Sequence, residues 1–243
     1  MDLRGATALV TGGGHRLGKA IALALANGGA NVVVNYHRSR AEAESTAEEV
    51  ERCGVRALAI QADAAAPADV DRMLDEVRAT FGRIDLFVAN AGVFRRTPLP
   101  AIEAADWRDM MRLNFETLLV PARRIGRDML EHGGGTIVAL ADVAAVRPWA
   151  EYIPYCVAKS CVVGLVRALA VALAPSVRVN AVAPGPVLFP EGFDPAARER
   201  EIARTVLRRE GSAGDVAAAV AFLARQDYVT GALLPVDGGR LLT

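Results

Sequence analysis

The chain has 243 residues, 52% of them hydrophobic, with 28 basic and 28 acidic side chains and no formal net charge. That balance offers no electrostatic footprint for nucleic acid or an anionic membrane surface, and the arginines are scattered rather than massed in one block. Length and apolar content together allow a single domain spanning residues 1–243, with a core of useful size.

The first apolar run, ATALV at 6–10, is reached without a basic n-region or an h-region. Further short runs follow at 31–36 (NVVVNY), 55–61 (VRALAIQ), 85–90 (DLFVAN), 135–141 (GTIVALA), 177–183 (VRVNAVA) and 233–236 (LLPV). Each is rich in Val, Ile or Leu and bounded by Gly, Asp, Asn or Pro, the pattern of strands buried on both faces. Amphipathic stretches near 18–28, 40–53, 67–80, 105–130, 152–174 and 214–226 alternate with them. This β-α alternation predicts an α/β fold, a Rossmann-type doubly wound parallel sheet of about seven strands with helices on both faces. No apolar run is read as approaching the roughly 20 residues of a membrane span, and a cytosolic protein is expected. Cys53, Cys156 and Cys161 lack metal or redox spacing and read as packing residues, with no metal site. The stretch 152–174 is apolar nearly all round, so its outer face asks for a second copy of the chain.

In such a sheet a ligand lies beyond the carboxyl ends of the strands, and the first turn is TGGGHRLG at 11–18. Gly12, Gly13, Gly14 and Gly18 allow a tight turn, and the helix start that follows offers unpaired N–H groups to a pyrophosphate. Arg16 stands where the dinucleotide fingerprint has its second glycine. After the second strand, where an NAD enzyme places a carboxylate, the chain reads NYHRS, so His37, Arg38 and Ser39 offer charge and donors to an adenosine 2′-phosphate. NADPH is the expected cofactor. Arg16 lies at the same phosphate-binding end and can reach an anion that glycine could not.

Tyr155 and Lys159 in YCVAK stand one helical turn apart on one face. A phenol that must exchange a proton near neutrality gains from an ammonium that lowers its pKa. Of the 28 basic residues, 26 are Arg and only Lys19 and Lys159 are Lys, so a compact ammonium is kept at this position in an arginine-using chain.

With TGGGHRLG, NAG at 90–92, Asn114 in RLNFET, YCVAK at 155–159 and PGPV at 184–187, the chain resembles the short-chain dehydrogenase/reductase family over its whole length. The resemblance implies that Lys159 also bonds the nicotinamide ribose and that Asn114 supports a water chain behind it. It implies a cofactor set of Gly12, Gly14, His15, Arg16, Leu17, Gly18, Tyr36, His37, Arg38, Ser39, Ala62, Asp63, Asn90, Ala91, Gly92, Tyr155, Lys159, Pro184, Gly185 and Val187. The family usually has serine thirteen residues before the tyrosine, but this chain has Asp142. An ionised carboxylate there would repel the oxygen of a ketone being reduced and raise the phenol pKa, whereas it suits a C=N bond whose nitrogen becomes basic.

Here the chain is similar to the pteridine reductases: RLG in the first turn, HRS after the second strand, Asp142 for serine, and Phe94 four residues after Asn90. The resemblance implies that Phe94 stacks a pterin against the nicotinamide and that Arg16 reaches from cofactor phosphate to substrate. Gly92 departs from it, since pteridine reductases often have serine there. The expected activity is NADPH-dependent reduction of a dihydropterin or dihydrofolate to its tetrahydro form. The proton comes from Tyr155 or through a relay involving Asp142, and the substrate touches Arg16, Phe94, Asp142 and Tyr155. A carbonyl or 3-oxoacyl reductase is the alternative, and a non-catalytic NADPH-binding regulator a further one. Residues 188–209 form a substrate lid or an ordinary surface helix, and the assembly expected is a homotetramer.

Overall fold

The computed structural model describes residues 1–190 and 192–243. Seven parallel strands form one sheet in the order β3-β2-β1-β4-β5-β6-β7: β1 Thr7–Thr11, β2 Asn31–Tyr36, β3 Ala57–Gln61, β4 Leu86–Ala89, β5 Gly135–Leu140, β6 Val177–Pro184 and β7 Leu233–Val236. Every run read as a strand is one. The reason lies in the two-residue alternation of strand side chains, which serves two cores at once. In β1, Ala8 and Val10 point into the core shared with α1 (Arg16–Asn27), α2 (Arg40–Glu51) and α8 (Ala213–Arg225). Leu9, between them, joins Phe87 and Ile137 in the opposite core, under α3 (Pro67–Phe81), α5 (Thr117–Glu131) and α6 (Ile153–Ala172). Phe87 is fully buried, so Phe87→Ala should cost about 3–5 kcal/mol of stability.

The chain order reverses between β1 and β4, because β2 and β3 lie to one side of β1 and β4 to β7 to the other. A crevice opens at that point beyond the strand ends. Asn90 bridges it: its N–H donates to Thr11 Oγ1 at 3.0 Å, and its side-chain amide donates to the carbonyls of Thr11 and Gly12, each at 3.0 Å.

Two expectations need correction, and one stretch adds a helix to those expected. The helical stretch 105–130 is two helices, α4 (Ala104–Met111) and α5, separated by a π-helical turn at Arg112–Glu116 that carries Asn114. Hydrophobic period alone does not register one wide turn, and such turns recur at functional sites. An additional helix, α7 (Pro195–Ala203), lies in the stretch 188–209; Glu191, within that stretch, falls outside the described residues. Finally, the 20-residue α6 is long and apolar enough to cross a membrane by composition. In the fold it is a core helix, with Ala158, Val162, Val163, Val166 and Ala170 buried while Val157 and Val171 stay exposed. The three cysteines are free, Cys156 buried and the other two half-buried.

Candidate active site

The first turn is built to face an anion. Helix α1 begins at Arg16 after an extended His15 that makes no capping bond, and its first turn holds no acidic residue. Its leading N–H groups and the positive end of its dipole are thus left for a ligand. Gly18 must be glycine, since a Cβ there would lie 2.0 Å from the Gly12 carbonyl oxygen. Arg16 itself has φ +52°, a left-handed conformation that glycine adopts freely and a side chain opposes. Its guanidinium donates to the backbone oxygens of Leu188 and, at 3.4 Å, Phe189. Arg16 thus ties the first turn across the cleft to the segment after β6.

Opposite this turn, three elements converge. Asn114, buried in the π-helical turn, accepts from the Val93 N–H at 3.1 Å and donates to the Met110 oxygen at 3.2 Å. A Cβ on Gly92 would come 2.8 Å from Asn114 Oδ1 and 3.6 Å from Lys159 Nζ, so glycine there keeps these two polar groups close. Lys159, on α6, is buried and donates to the Leu140 oxygen at 2.8 Å. Asp142 follows the end of β5. Its Oδ1 accepts from the Ala144 N–H at 2.8 Å, and its Oδ2 accepts the Tyr155 hydroxyl at 2.6 Å.

Burial dominates the electrostatics of this group. It raises the Asp142 carboxyl above its ordinary pKa, although the Ala144 N–H, the Tyr155 hydroxyl and the Lys159 charge pull the other way. It brings the Lys159 ammonium down to about 8, with Asp142 opposing. The Tyr155 phenol is pushed well above 10, by burial first and then by the facing Asp142. The direction is the one expected from Asp142 and opposite to the one expected from Lys159, which is not among the groups acting on the phenol. The group can hold and pass a proton between carboxyl and phenol, with an ammonium close enough to balance the charge left behind.

Phe94 forms the mouth of this region, 42% exposed. One ring face stacks on Tyr152 with centroids 4.5 Å apart, and Trp149 and Tyr155 meet it edge-on at 6.1 and 5.1 Å. Trp149 and Tyr152 were absent from the sequence expectations; aromatics three and six residues before Tyr155 were the available signal.

A cleft of about 550 Å³ brings together Gly12, His15, Arg16, Leu17, Gly18, Asn90, Ala91, Gly92, Phe94, Asn114, Asp142, Tyr155, Lys159, Pro184, Gly185 and Val187. Val93, Leu140, Ala141, Leu188 and Pro190 line it as well. The remaining expected residues lie away from its wall. Gly14 turns toward α2, its oxygen accepting the Thr46 hydroxyl at 2.8 Å. Tyr36 is buried at the end of β2 beneath Arg40, and the exposed His37 and Arg38 and half-buried Ser39 follow it. Ala62 and Asp63 stand at the end of β3, where Asp63 pairs with Arg112 on the π-helical turn. All lie at carboxyl ends of parallel strands, on the same edge of the sheet as the cleft. An uncapped helix start, a glycine floor and basic groups beyond β2 fit a phosphorylated dinucleotide lying along that edge.

Residues 14–240 match the protein family described as enoyl-(acyl carrier protein) reductase. The chain is similar to the 3-oxoacyl-[acyl-carrier-protein] reductase FabG of Staphylococcus aureus, 35% identical over 238 residues that cover 96% of this chain and 97% of that protein. It is also similar to 3beta-hydroxysteroid dehydrogenase 1 of Eggerthella lenta, 35% identical over 249 residues that cover 99% and 95%. Among solved structures, NADPH-dependent 3-quinuclidinone reductase from Rhodotorula rubra matches with a TM-score of 0.93 and 30% identity, covering 100% of this chain and 93% of that one.

Proposed function

Because the chain belongs to the short-chain dehydrogenase/reductase family, we propose that it is an NADPH-dependent reductase of a C=N bond in a planar nitrogen heterocycle of the pterin or folate class. The observation that carries this reading is the bond from Tyr155 to Asp142 at 2.6 Å. A bound nicotinamide supplies the hydride. Tyr155 protonates the substrate nitrogen and takes the proton that a buried Asp142 retains, so no phenolate is left facing a carboxylate. Asp142 ends the step ionised, with Lys159 as the nearby positive charge. Asn114 holds the 92–93 backbone beside Lys159, and the exposed face of Phe94 offers a flat wall to a conjugated ring.

The cofactor is read as NADPH because no carboxylate follows β2 and the exposed His37 and Arg38 do. Residues 188–190 and 192–209 form the substrate cover, and the exposed apolar stripe of α6 is read as a contact in a homotetramer, to be checked by light scattering. The enzyme is placed in the cytosol on this reading.

The relatives favour a second reading, reduction of a ketone such as a 3-oxoacyl thioester, since those at 35% identity carry 3-oxoacyl-[acyl-carrier-protein] reductase and 3beta-hydroxysteroid dehydrogenase names. On that reading a protonated Asp142 would donate to the substrate oxygen. Loss of NADPH absorbance with purified protein separates the two. The panel contains dihydropterins, dihydrofolate, quinonoid pterins, simple ketones and acetoacetyl thioesters. Turnover confined to ketones or thioesters overturns the C=N assignment, and turnover of none leaves a non-catalytic dinucleotide binder.

A further inference from the structure

Helix α7 poses a holding problem. It contains no fully buried residue, with only Ala197 and Ile202 half-buried among its apolar side chains, so the apolar docking that fixes other helices contributes little to its placement. Its charge reaches the aromatic wall: burial, Glu151 and Glu201 oppose ionisation of Tyr152, while Arg96 favours it. Polar contacts hold it instead. Asp194 caps its first turn, accepting from the N–H groups of Ala196 and Ala197, and Arg198 pairs with Glu210. Asp194 and Arg198 stand largely in water, although Glu210 is half-buried. The pair between Glu201 and Arg240 is different, because the Arg240 side chain is only 5% exposed and that of Glu201 26%.

Arg240 Nε and Nη2 donate to Glu201 Oε2 at 3.2 and 3.1 Å, and Nη1 donates to the Thr243 oxygen at 3.3 Å. Its base is fixed to the sheet. Arg240 begins a short 3-10 turn just after β7, and Asp237 secures that turn by accepting from the Gly239 and Leu241 N–H groups at 2.9 and 2.8 Å. The Leu207 N–H donates to the Gly238 oxygen at 3.0 Å, and the Thr243 hydroxyl donates to the Arg204 oxygen. The turn therefore grips both α7 and the residues after it. A guanidinium fork sets orientation as well as distance, which a point charge does not.

We propose that Arg240 is a positioning residue for substrate: through Glu201 it locks α7 to the sheet, and so keeps Leu188 to Pro190 over the cleft. This rests on the reading of the 188–209 stretch as the substrate cover. At the near end the same segment is tied by Arg16, so the cover is held from the cofactor turn on one side and from the β7 turn on the other.

The test compares the full chain with Arg240→Lys, Glu201→Gln and the double variant Arg240→Met/Glu201→Gln, which removes both charges and leaves neither buried alone. Three quantities are read: the rate of trypsin cleavage after the arginines between 198 and 209, NADPH affinity by fluorescence titration, and KM with kcat on whichever substrate the parent reduces. In the double variant, cleavage accelerates about tenfold or more and KM rises about tenfold, while kcat and NADPH affinity stay within about twofold. Arg240→Lys falls between parent and double variant. Should the double variant fail to fold, the two single variants carry the same readings. Cleavage at the parental rate overturns the proposal, and so does faster cleavage with unchanged KM, which would make the pair a staple without bearing on substrate. The cleavage assay needs no substrate, so failure of the C=N assignment shows in the substrate panel and leaves this result legible.

Discussion

The hydroxyl of Tyr155 donates to Oδ2 of Asp142 at 2.6 Å, and the other oxygen of that carboxylate is taken by the Ala144 N–H. A serine in place of Asp142 would offer a hydrogen to a substrate oxygen, whereas a carboxyl in this pair can return a proton to the phenol once Tyr155 has given its own to substrate. Replacing Asp142 by Ala should lower turnover of a dihydropterin by about a hundredfold or more, the usual worth of general acid–base assistance, with NADPH affinity nearly unchanged. Asp142→Ser should not restore that activity but should raise weak turnover of a reactive ketone. Steady-state rates on the two substrates check this, and parental dihydropterin rates in both variants would make Asp142 purely structural.

Lys159 gives a pH signature in which activity and stability part company. Its pKa falls from 10.5 to about 8 on folding, so between those values the unfolded chain binds more protons than the folded one. Stability from this group therefore rises with pH through that window, by about 3 kcal/mol for a shift of about 2.5 units. Turnover that needs the ammonium falls over the same range. Urea unfolding at pH 7.5 and 10 should show the parent gaining on Lys159→Met, and a constant difference would contradict the buried-charge account.

Cofactor choice should follow Arg38. With His37 it is exposed just past β2, and no carboxylate stands beside them in the turn. A charge-assisted bond to a phosphate is worth roughly 1.5–3 kcal/mol, so Arg38→Asp should erase or reverse a preference for NADPH over NADH. Fluorescence titration with both cofactors measures it, and equal affinities in the parent would remove the premise.

Arg16 sits at φ +52° in the slot of a glycine. Left-handed backbone costs a non-glycine residue about 1–2 kcal/mol, which glycine would relieve while adding about 0.4–1 kcal/mol of freedom to the unfolded chain. Arg16→Gly should thus leave stability within about 1 kcal/mol of the parent yet raise substrate KM, because the tie to Leu188 and Phe189 is gone. Thermal unfolding with KM determination decides. A variant with parental KM would show the tie to be incidental.

What could be read in advance follows from the range of each interaction. The strands were legible because each one's burial on both faces is written within its own few residues, as in Val32, Val33 and Val34. Tyr155 and Lys159 were legible through their spacing, and Asn90 and Asn114 through the family resemblance of their short motifs. Arg16 was noticed as an oddity, but its partners are 172 and 173 residues away and no local pattern encodes them. The same holds for Arg240 and Glu201. Helix α7 left no apolar period to find, since none of its residues is fully buried. The π-helical turn at Asn114 escaped because the apolar spacing of α4 and α5 runs on through it.

That wide turn bears on how this scaffold could lose its chemistry. A π-helical turn accommodates one residue more than the α-helical path around it. Deleting a single codon within 112–116 would let α4 and α5 fuse into one regular rod with both flanks still in phase, because the wide turn is what absorbs the extra residue. The buried stripe of α5, from Leu118 through Ile125 to Met129, would keep its seat on the sheet, while the wide turn that sets Asn114 against Val93 and Lys159 would be gone. The product would be a well-folded, silent protein, native by circular dichroism and inert toward every substrate. One in-frame deletion thus separates an enzyme from a pseudoenzyme on this backbone.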